Sequence, residues 1–481
     1  MEKRRHIITK INNNNLEIES SDAFKNLADF LRHEYDLPGT KVVCGEGDCG
    51  ACTVLLGKDI GEDGKLIYKA VNSCILPLYL LDGAHVVTVE GLKKENELSE
   101  VQQKMVDCHG SQCGYCTPGF ICSLTWMTEK LKSKDEVITE KRAKNFTTGN
   151  LCRCTGYAPI IKAATSIELE KVELLKDKYH DPKYLELVKK IKRESLVIAD
   201  KNLNIILPAS LEEALLLKAV EPKLKIVAGN TDLGVMANKG RGQFFDVMSL
   251  THVSELKKIS STKDFITVGA TVTLSEFEDF VENQIDELKD LLHIFASPQI
   301  KNQGTLIGNV LNASPIGDTI PFLMVSEAIV CISSAREDRE VPLTKFYLGY
   351  KQLDLKADEL VTKIKIPRLK ANEKMSLFKV SMRKDLDISA VTFAGIIKVE
   401  NNLIEEARVA YGGVAATVLR LRSVENFFKG KEFNKTTFDQ ASLMIDELIS
   451  PLSDLRASKE YRKLVAKNFL KKFYVTQKEN V

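Results

Sequence analysis

Residues 44–54 read CGEGDCGACTV, with a further cysteine at Cys74. Cys44, Cys49, Cys52 and Cys74 thus follow C-x4-C-x2-C plus one distant cysteine, the plant-type ligand spacing of a [2Fe-2S] cluster. The interleaved Gly45, Gly47 and Gly50 let the backbone wrap tightly and turn amide N–H groups toward cluster sulfurs, where they offset negative charge. Four thiolates also suit a tetrahedral zinc ion. The spacing and the glycines favour iron.

Around this loop, residues 1–92 mix alternating apolar stretches (Ile7 to Ile11, Leu16 to Ile18, Val86 to Val89) with one helical pattern at Phe24, Leu27 and Leu31, for which Ser20 and Ser21 are capping candidates. This predicts a small α+β unit. From Leu98 the period changes to a helical one: Leu98, Val101, Met105 and Cys108 share a face, and Ser99 with Gln102 forms a capping-box pattern. Helices are expected to about residue 166, one of them opening at Thr117 with Pro118 at its first position.

A second cysteine set lies in this helical stretch: Cys113 and Cys116, then Cys152 and Cys154. C-x2-C with C-x-C is by itself ambiguous between zinc and iron-sulfur. C-x-C is tight for zinc, and each pair abuts a helix start, whose partial positive charge suits an anionic cluster. Cys108, Cys122 and Cys331 fall in apolar patterns and are expected in the core. Ten of the eleven cysteines precede residue 155. That crowding suggests metal sites, because disulfide frameworks belong to short secreted chains.

Gross composition excludes several functions. The 481 residues exceed what one core can organise, and 44% apolar with 28% charged residues is ordinary globular material. Lys plus Arg (68) nearly balances Asp plus Glu (66), so no field of one sign points to nucleic acid or an anionic membrane. The N-terminal MEKRRHIITKI lacks a signal-peptide core, and the apolar run Ile320 to Ile332 is broken by Ser326 and Glu327. A cytoplasmic protein is expected.

The stretch 167–195, rich in Lys, Glu and Asp, is expected to be a solvent-exposed connector, partly helical. Beyond it, strand-like segments (Lys225 to Val227, Ile266 to Val268) alternate with helical ones such as Leu211 to Leu217 as far as Pro367. A last unit has strands near Phe378, Val391 to Val399 and Ala407 to Tyr411, then helices ending at Tyr474. No G-x-G-x-x-G fingerprint is present. Instead, a strand at Ile226 to Ala228 runs into Gly229, Asn230, Thr231, Asp232, Leu233 and Gly234, a turn able to aim amides at a pyrophosphate. A second loop, Thr305 to Asp318, is rich in small polar residues. Each taken alone is also an ordinary surface turn.

The segments CGEGDCGACTV (44–54), HGSQCGYCTPG (109–119) and GNLCRCTGY (149–157) resemble, in order, the two iron-sulfur motifs of the xanthine dehydrogenase family of molybdenum hydroxylases. The flavin region and tail, including FKVSMRKDLDIS (378–389) and YGGVA (411–415), extend the resemblance over nearly the whole chain. Val43 and Asp48 depart from it, standing where Gly is usual.

The resemblance implies an α+β multidomain protein. Residues 1–92 would form a β-grasp ferredoxin domain, and 93–166 a four-helix [2Fe-2S] domain. With 167–195 as a linker, 196–367 would form an α+β FAD-binding domain of the vanillyl-alcohol-oxidase/CO-dehydrogenase flavoprotein type, and 368–481 a C-terminal α+β domain. By the same resemblance Ile226, Val227, Ala228, Gly229, Asn230, Thr231, Asp232, Leu233, Phe295, Thr305, Gly308, Asn309, Asp318, Val361 and Lys379 fall on FAD-contacting positions. Gln112 would face molybdopterin on a partner, and the loop Ser381 to Ser389 would border the flavin.

Clusters carry single electrons and NAD accepts a hydride, so a chain linking them needs a group that works in both modes, which flavin does. The resemblance therefore implies an electron-transfer subunit: hypoxanthine or xanthine is hydroxylated on a large molybdopterin-binding partner, and electrons pass through two [2Fe-2S] clusters to FAD and then NAD. Two small and two large subunits would form a heterotetramer. The alternatives are the equivalent subunit of a hydroxylase for nicotinate, an aldehyde or another heterocycle, and a stand-alone carrier or sensor.

Overall fold

A computed structural model describes residues 4–19, 22–95, 97–200, 203–242 and 244–479. The chain forms two compact units. One takes in the chain up to Ala214 with Lys223–Ser254 and Ser297–Gly304; the other takes in Leu215–Pro222, Glu255–Ala296 and the chain from Thr305 on. The stretch 196–367, expected as one domain, contributes to both.

The first unit is built on a mixed sheet of β1 (Ile7–Ile11), β2 (Asn14–Ile18), β3 (Thr53–Ile60), β4 (Leu66–Asn72) and β5 (His85–Val87) in the order β2-β1-β5-β3-β4. Only β1 and β5 run parallel. Successive strand residues face opposite ways, so both faces are buried. Val54 and Leu56 join a core with Leu27 and Leu31 of the helix Leu27–His33. Leu55, between them, joins a core with Phe120 and Leu124 of the helix Thr117–Ser133. This is the expected β-grasp arrangement. Ser20 and Ser21 lie outside the described residues, and the cap of the first helix belongs to Asn26, whose side chain accepts the Asp29 N–H at 2.9 Å. The helix therefore begins after Phe24.

Four helices follow as expected: Glu100–Asp107, Thr117–Ser133, Glu140–Thr147 and Ala158–Thr165. The capping box at Ser99 and Gln102 is formed in both directions, and Pro118 occupies the first turn of its helix. Leu98 precedes its helix and is exposed, so the apolar face starts at Val101. Cys122 and Cys331 are buried and Cys108 is half-buried.

The exposed-connector expectation for 167–195 is corrected. Asp181 caps the helix Pro182–Ile191, which buries Tyr184, Leu185, Val188 and Ile191. Tyr184 also donates to the Ala84 carbonyl at 2.7 Å and Tyr179 to that of Gly91 at 2.7 Å. The charges of this stretch lie on the outer face of an amphipathic helix. The unit is completed by β6 (Leu196–Asp200), β7 (Leu203–Leu207), β8 (Lys225–Val227) and β9 (Asp246–Ser249), ordered β6-β7-β9-β8 with β7 and β8 parallel to β9.

The second unit holds an antiparallel sheet of Ile259–Ser261, Phe265–Gly269, Leu360–Pro367, Ile329–Ser333 and Asp338–Pro342, in that spatial order. Its C-terminal part is an antiparallel sheet of Glu373–Val380, Val391–Glu400, Leu403–Gly412 and Leu419–Arg420, packed with the helices Arg422–Phe428, Lys435–Leu448 and Lys459–Lys478. Phe393 is central here: it stacks on Phe378 at 5.4 Å and meets Tyr411 and Phe473 edge-on. Burying each such ring stabilises the fold by roughly 1.5–3 kcal/mol. No helix among the described residues is long and apolar enough to cross a membrane.

Candidate functional site

The distant Cys74 is brought to the 44–52 loop by strand register. Cys52 directly precedes β3 and Cys74 follows β4, and Thr53 pairs with Asn72 at the start of the hairpin. The Ser73 N–H and hydroxyl both donate to the Cys52 carbonyl, and the Asn72 amide donates to the Gly47 carbonyl at 2.7 Å. The four thiols act on one another electrostatically, Cys44 with Cys49 and Cys74, and Cys74 with Cys52.

Backbone amides point at these sulfurs, as the glycine pattern suggests. The N–H groups of Glu46 and Cys49 reach Cys44 Sγ at 3.5 and 3.4 Å. Gly45, Gly47 and Gly50 all have positive φ, which lets the loop curl around the thiols. The crowding divides the thiols: the Cys49 and Cys74 contacts hold Cys44 well below the ordinary thiol range, while the Cys44 contact pushes Cys49 and Cys74 up. Four convergent thiols in an amide cradle are the donor set a [2Fe-2S] cluster takes, so the residues fit.

The second set is assembled at helix starts. Cys116 is the N-cap residue of Thr117–Ser133, and Cys152 and Cys154 lie just ahead of Ala158–Thr165. Cys113 contacts Cys154 and Cys116 contacts Cys152, so all four expected residues come together. Tyr157 adopts a left-handed φ of 69° and its hydroxyl accepts the Cys152 N–H at 3.0 Å, which folds the C-x-C loop back toward its helix. Cys152 is held low despite its burial by the Thr155 hydroxyl and amide, whereas burial pushes Cys116 up to about 12. Cys113, Cys154 and Gln112 are exposed. These thiols fit a second cluster on the same chemistry.

The two loops touch directly. The Leu151 N–H donates to the Cys49 carbonyl at 3.0 Å, Asn150 donates to the Gly50 carbonyl at 3.0 Å, and the Tyr115 hydroxyl donates to the Val42 carbonyl at 3.0 Å. A Cβ on Gly119 would lie 2.2 Å from the Gly50 oxygen, so only glycine lets the helix start approach.

The flavin candidates divide between the two units. In the first, Ile226 and Val227 lie in β8 and Thr231 to Leu233 open the helix Thr231–Asn238, with Asn230 left-handed at φ 60° between them. Ala228 and Gly229 complete the turn, and Gly229 packs so closely that a Cβ would meet the Gln303 carbonyl at 2.0 Å. Asn238, at the end of this helix, donates to the carbonyls of both Gly45 and Cys74 at 2.8 Å. The turn helix is thus seated on the first cysteine loop.

In the second unit, Lys379 pairs with Asp318 at 2.7 Å with both side chains almost fully buried, and its ammonium lies 5.9 Å from the Phe295 ring centre. Asn309 accepts from the Thr319 hydroxyl at 2.7 Å, and Thr305 caps the helix Leu306–Leu311 by accepting the Gly308 N–H at 2.9 Å. Val361 is buried in its strand. Sequence reasoning missed Asn150, Asn238 and the fully buried Gln299, since polar residues in loops and short helices carry no periodic signal.

Comparison with known families agrees with this layout. The family described as [2Fe-2S] binding domain matches residues 88–165. The FAD binding domain in molybdopterin dehydrogenase matches 201–369, and the CO dehydrogenase flavoprotein C-terminal domain matches 376–477. Xanthine dehydrogenase of Oryza sativa subsp. japonica is 31% identical over 95% of this chain and 38% of its own. Aldehyde oxidase 2 of Macaca fascicularis is 30% identical over 93% of this chain and 37% of its own. The chain therefore spans well under half the length of these relatives. Among solved structures, carbon monoxide dehydrogenase from Hydrogenophaga pseudoflava shares the fold (TM-score 0.54, 22% identity, 57% of this chain and 96% of that one). Quinoline 2-oxidoreductase from Pseudomonas putida 86 is similar (TM-score 0.52, 26% identity, 56% of this chain and 94% of that one).

Proposed function

We propose that this chain, which is similar to xanthine dehydrogenase and is matched by the [2Fe-2S] binding and molybdopterin dehydrogenase FAD binding domain families, is the electron-transfer subunit of a molybdenum hydroxylase of that family. It would take electrons from hydroxylation of hypoxanthine or xanthine on a large molybdopterin-binding partner and deliver them to NAD. The observation that carries this reading is contiguity. The second cysteine set touches the first through Leu151 and Cys49, and the first touches the Gly229 turn helix through Asn238.

The eight cysteines would hold two [2Fe-2S] clusters, which supply one-electron transfer; Ile226 to Leu233 of the first unit, and Phe295, Thr305, Gly308, Asn309, Asp318, Val361 and Lys379 of the second, fall on positions that the resemblance assigns to FAD, a group that works in one- and two-electron steps and so suits NAD as acceptor. The chain's own part is electrostatic and geometric. Amides of Glu46, Cys49 and Thr155 stabilise negative charge on ligand sulfurs, and the exposed Cys113, Cys154 and Gln112 leave the second set open toward a partner.

The test is an anaerobic visible difference spectrum of the purified complex before and after NADH, and then after xanthine. Bleaching of flavin and iron-sulfur bands by both supports the route. In Cys152→Ser, substrate-driven NAD reduction should vanish while NADH still reduces the flavin; persistent turnover would mean electrons take another way. A second reading, an aldehyde as substrate, is favoured by the near-equal identity to aldehyde oxidase 2. It is decided by which compound, xanthine or an aldehyde, bleaches the complex.

A further inference from the structure

Gln299, in the short helix Pro298–Lys301, is fully buried and lies within the stretch matched by the FAD-binding family, yet its amide reaches the cysteine loops. Nε2 lies 3.0 Å from Asn150 Oδ1, 3.1 Å from Ser123 Oγ and 3.3 Å from Thr53 Oγ1. The sense of these bonds is fixed. Thr53 spends its hydroxyl proton on the Gly50 carbonyl at 2.6 Å and Ser123 spends its own on Asn150 Oδ1 at 2.7 Å, so both oxygens can only accept from Gln299. Each partner belongs to a different support: Thr53 follows Cys52, Asn150 precedes Cys152, and Ser123 lies in the helix that starts beyond Cys116.

The other end of the amide adds an independent observation. Gln299 Oε1 has no hydrogen-bond partner among the described residues, and it sits where a Cβ on Gly149 would fall 2.0 Å away. A buried carbonyl without a partner is costly, and such a group persists where the surrounding contacts demand its position.

We propose that Gln299 is a positioning residue whose carboxamide locks the Gly50 loop to the Asn150 loop and so sets the separation and mutual orientation of the two clusters. This rests on the reading that both cysteine sets hold [2Fe-2S] clusters. It assigns the flavin-domain sequence a task toward the clusters that is separate from binding flavin. Because single-electron transfer weakens steeply with separation, loosening the lock slows the passage between clusters without altering any ligand.

The experiment uses Gln299→Met, which keeps the length and burial but removes the donor. Wild-type and variant chains are reduced anaerobically with dithionite, and iron content and low-temperature electron paramagnetic resonance are recorded. Wild type should show two reduced-cluster signals split by their mutual spin interaction. The variant should keep the iron and both signals but show an altered or lost splitting. Asn302→Ala is the control: it frees the same segment from the Ala70 carbonyl, a 2.8 Å bond that touches neither cysteine loop. It should lower the melting temperature and leave the splitting unchanged.

An unchanged splitting in iron-loaded Gln299→Met overturns the proposal, as does an equal change in Asn302→Ala. Should Gln299→Met fail to fold, Ser123→Ala decides in the same way, since it removes one hydroxyl of the lock and little volume. A wild-type chain without two reduced-cluster signals would overturn the cluster assignment itself, whereas two wild-type signals without splitting would overturn the proposal, which keeps the two failures apart.

Discussion

Each cysteine set has two half-buried thiols, and the sets differ in the other two. Cys52 and Cys74 are each 2% exposed, fixed by strand register inside a sheet packed on both faces. Cys113 and Cys154 stand at the surface, held by two helix starts and one left-handed tyrosine. The difference separates two ways of making a site. The first set is a consequence of the core, so whatever disturbs the core disturbs it; the second is an attachment whose loss the core should survive.

The strongest attempt to break this contrast is Gly50→Ala, because Gly50 is where the two sets meet. Its φ is +68°, and an added Cβ would lie 2.2 Å from the Gly149 carbonyl and 2.6 Å from Asn150 Nδ2. Neither the backbone nor the buried amide can yield, so the substitution should cost about 3–5 kcal/mol and release iron from both sets. Gly45→Ala is the matching probe: φ is +65° but nothing lies within 4 Å. Its cost should stay near the left-handed penalty of about 1–2 kcal/mol, with both clusters retained. Iron analysis and urea melts of the two variants check this; equal losses would mean that backbone strain, not the shared contact, governs both loops.

Acid should act next, and through the core beneath the first set. Burial depresses His85 to about 4, and His252 likewise to about 4. His85 Nε2–H donates to the Asn12 carbonyl at 2.8 Å, so its neutral Nδ1 accepts from the Tyr68 hydroxyl at 2.6 Å. Both histidines are neutral when folded, and the unfolded chain takes up protons as pH drops below about 6.5. Their stabilisation is therefore complete above about pH 6.5 and is lost as pH falls toward 4, by up to about 3 kcal/mol each. Urea melts at pH 7.5 and pH 5 should show the decline, and His85→Gln should remove about half of it.

How much of this was legible in the sequence follows the same division. The cysteine loops were readable because ligand spacing and glycine are local signals, and the capping box at Ser99 and Pro118 located two helices. What was lost lay in contacts between distant segments. In 167–195 the spacing of Tyr184, Leu185, Val188 and Ile191 carried a helical face, and Asp181-Pro182 a helix start, but the many lysines and glutamates hid both. Asn26, the actual cap of the first helix, was passed over because Ser20 and Ser21 are equally good cap chemistry. Gln299, Asn150 and Asn238 acquire their roles only when the fold brings a carbonyl or hydroxyl from far along the chain, and no local pattern encodes that. The flavin candidates lie between these cases. Phe295, Asp318 and Lys379 converge in one unit although they are far apart in sequence, and only family resemblance singled them out.

The smallest effect concerns charge at the rim of the first loop. Lys239, just beyond the turn helix, forms an ion pair with Glu46, and the two side chains are 40% and 35% exposed. An exposed pair of this kind contributes about 0–1 kcal/mol and fades with salt, so Lys239→Ala should leave the urea midpoint almost unmoved. Yet Glu46 also supplies the N–H that reaches Cys44 Sγ, so the cation sits beside the set whose negative charge rises on reduction. Removing it should make the first cluster harder to reduce and shift its potential downward, more at low salt than at high. The potential of the second cluster, tracked by its own resonance signal in the same titration, should hold still. If both potentials moved together, the first set would not be electrostatically private, and the contrast between the two would be one of packing alone.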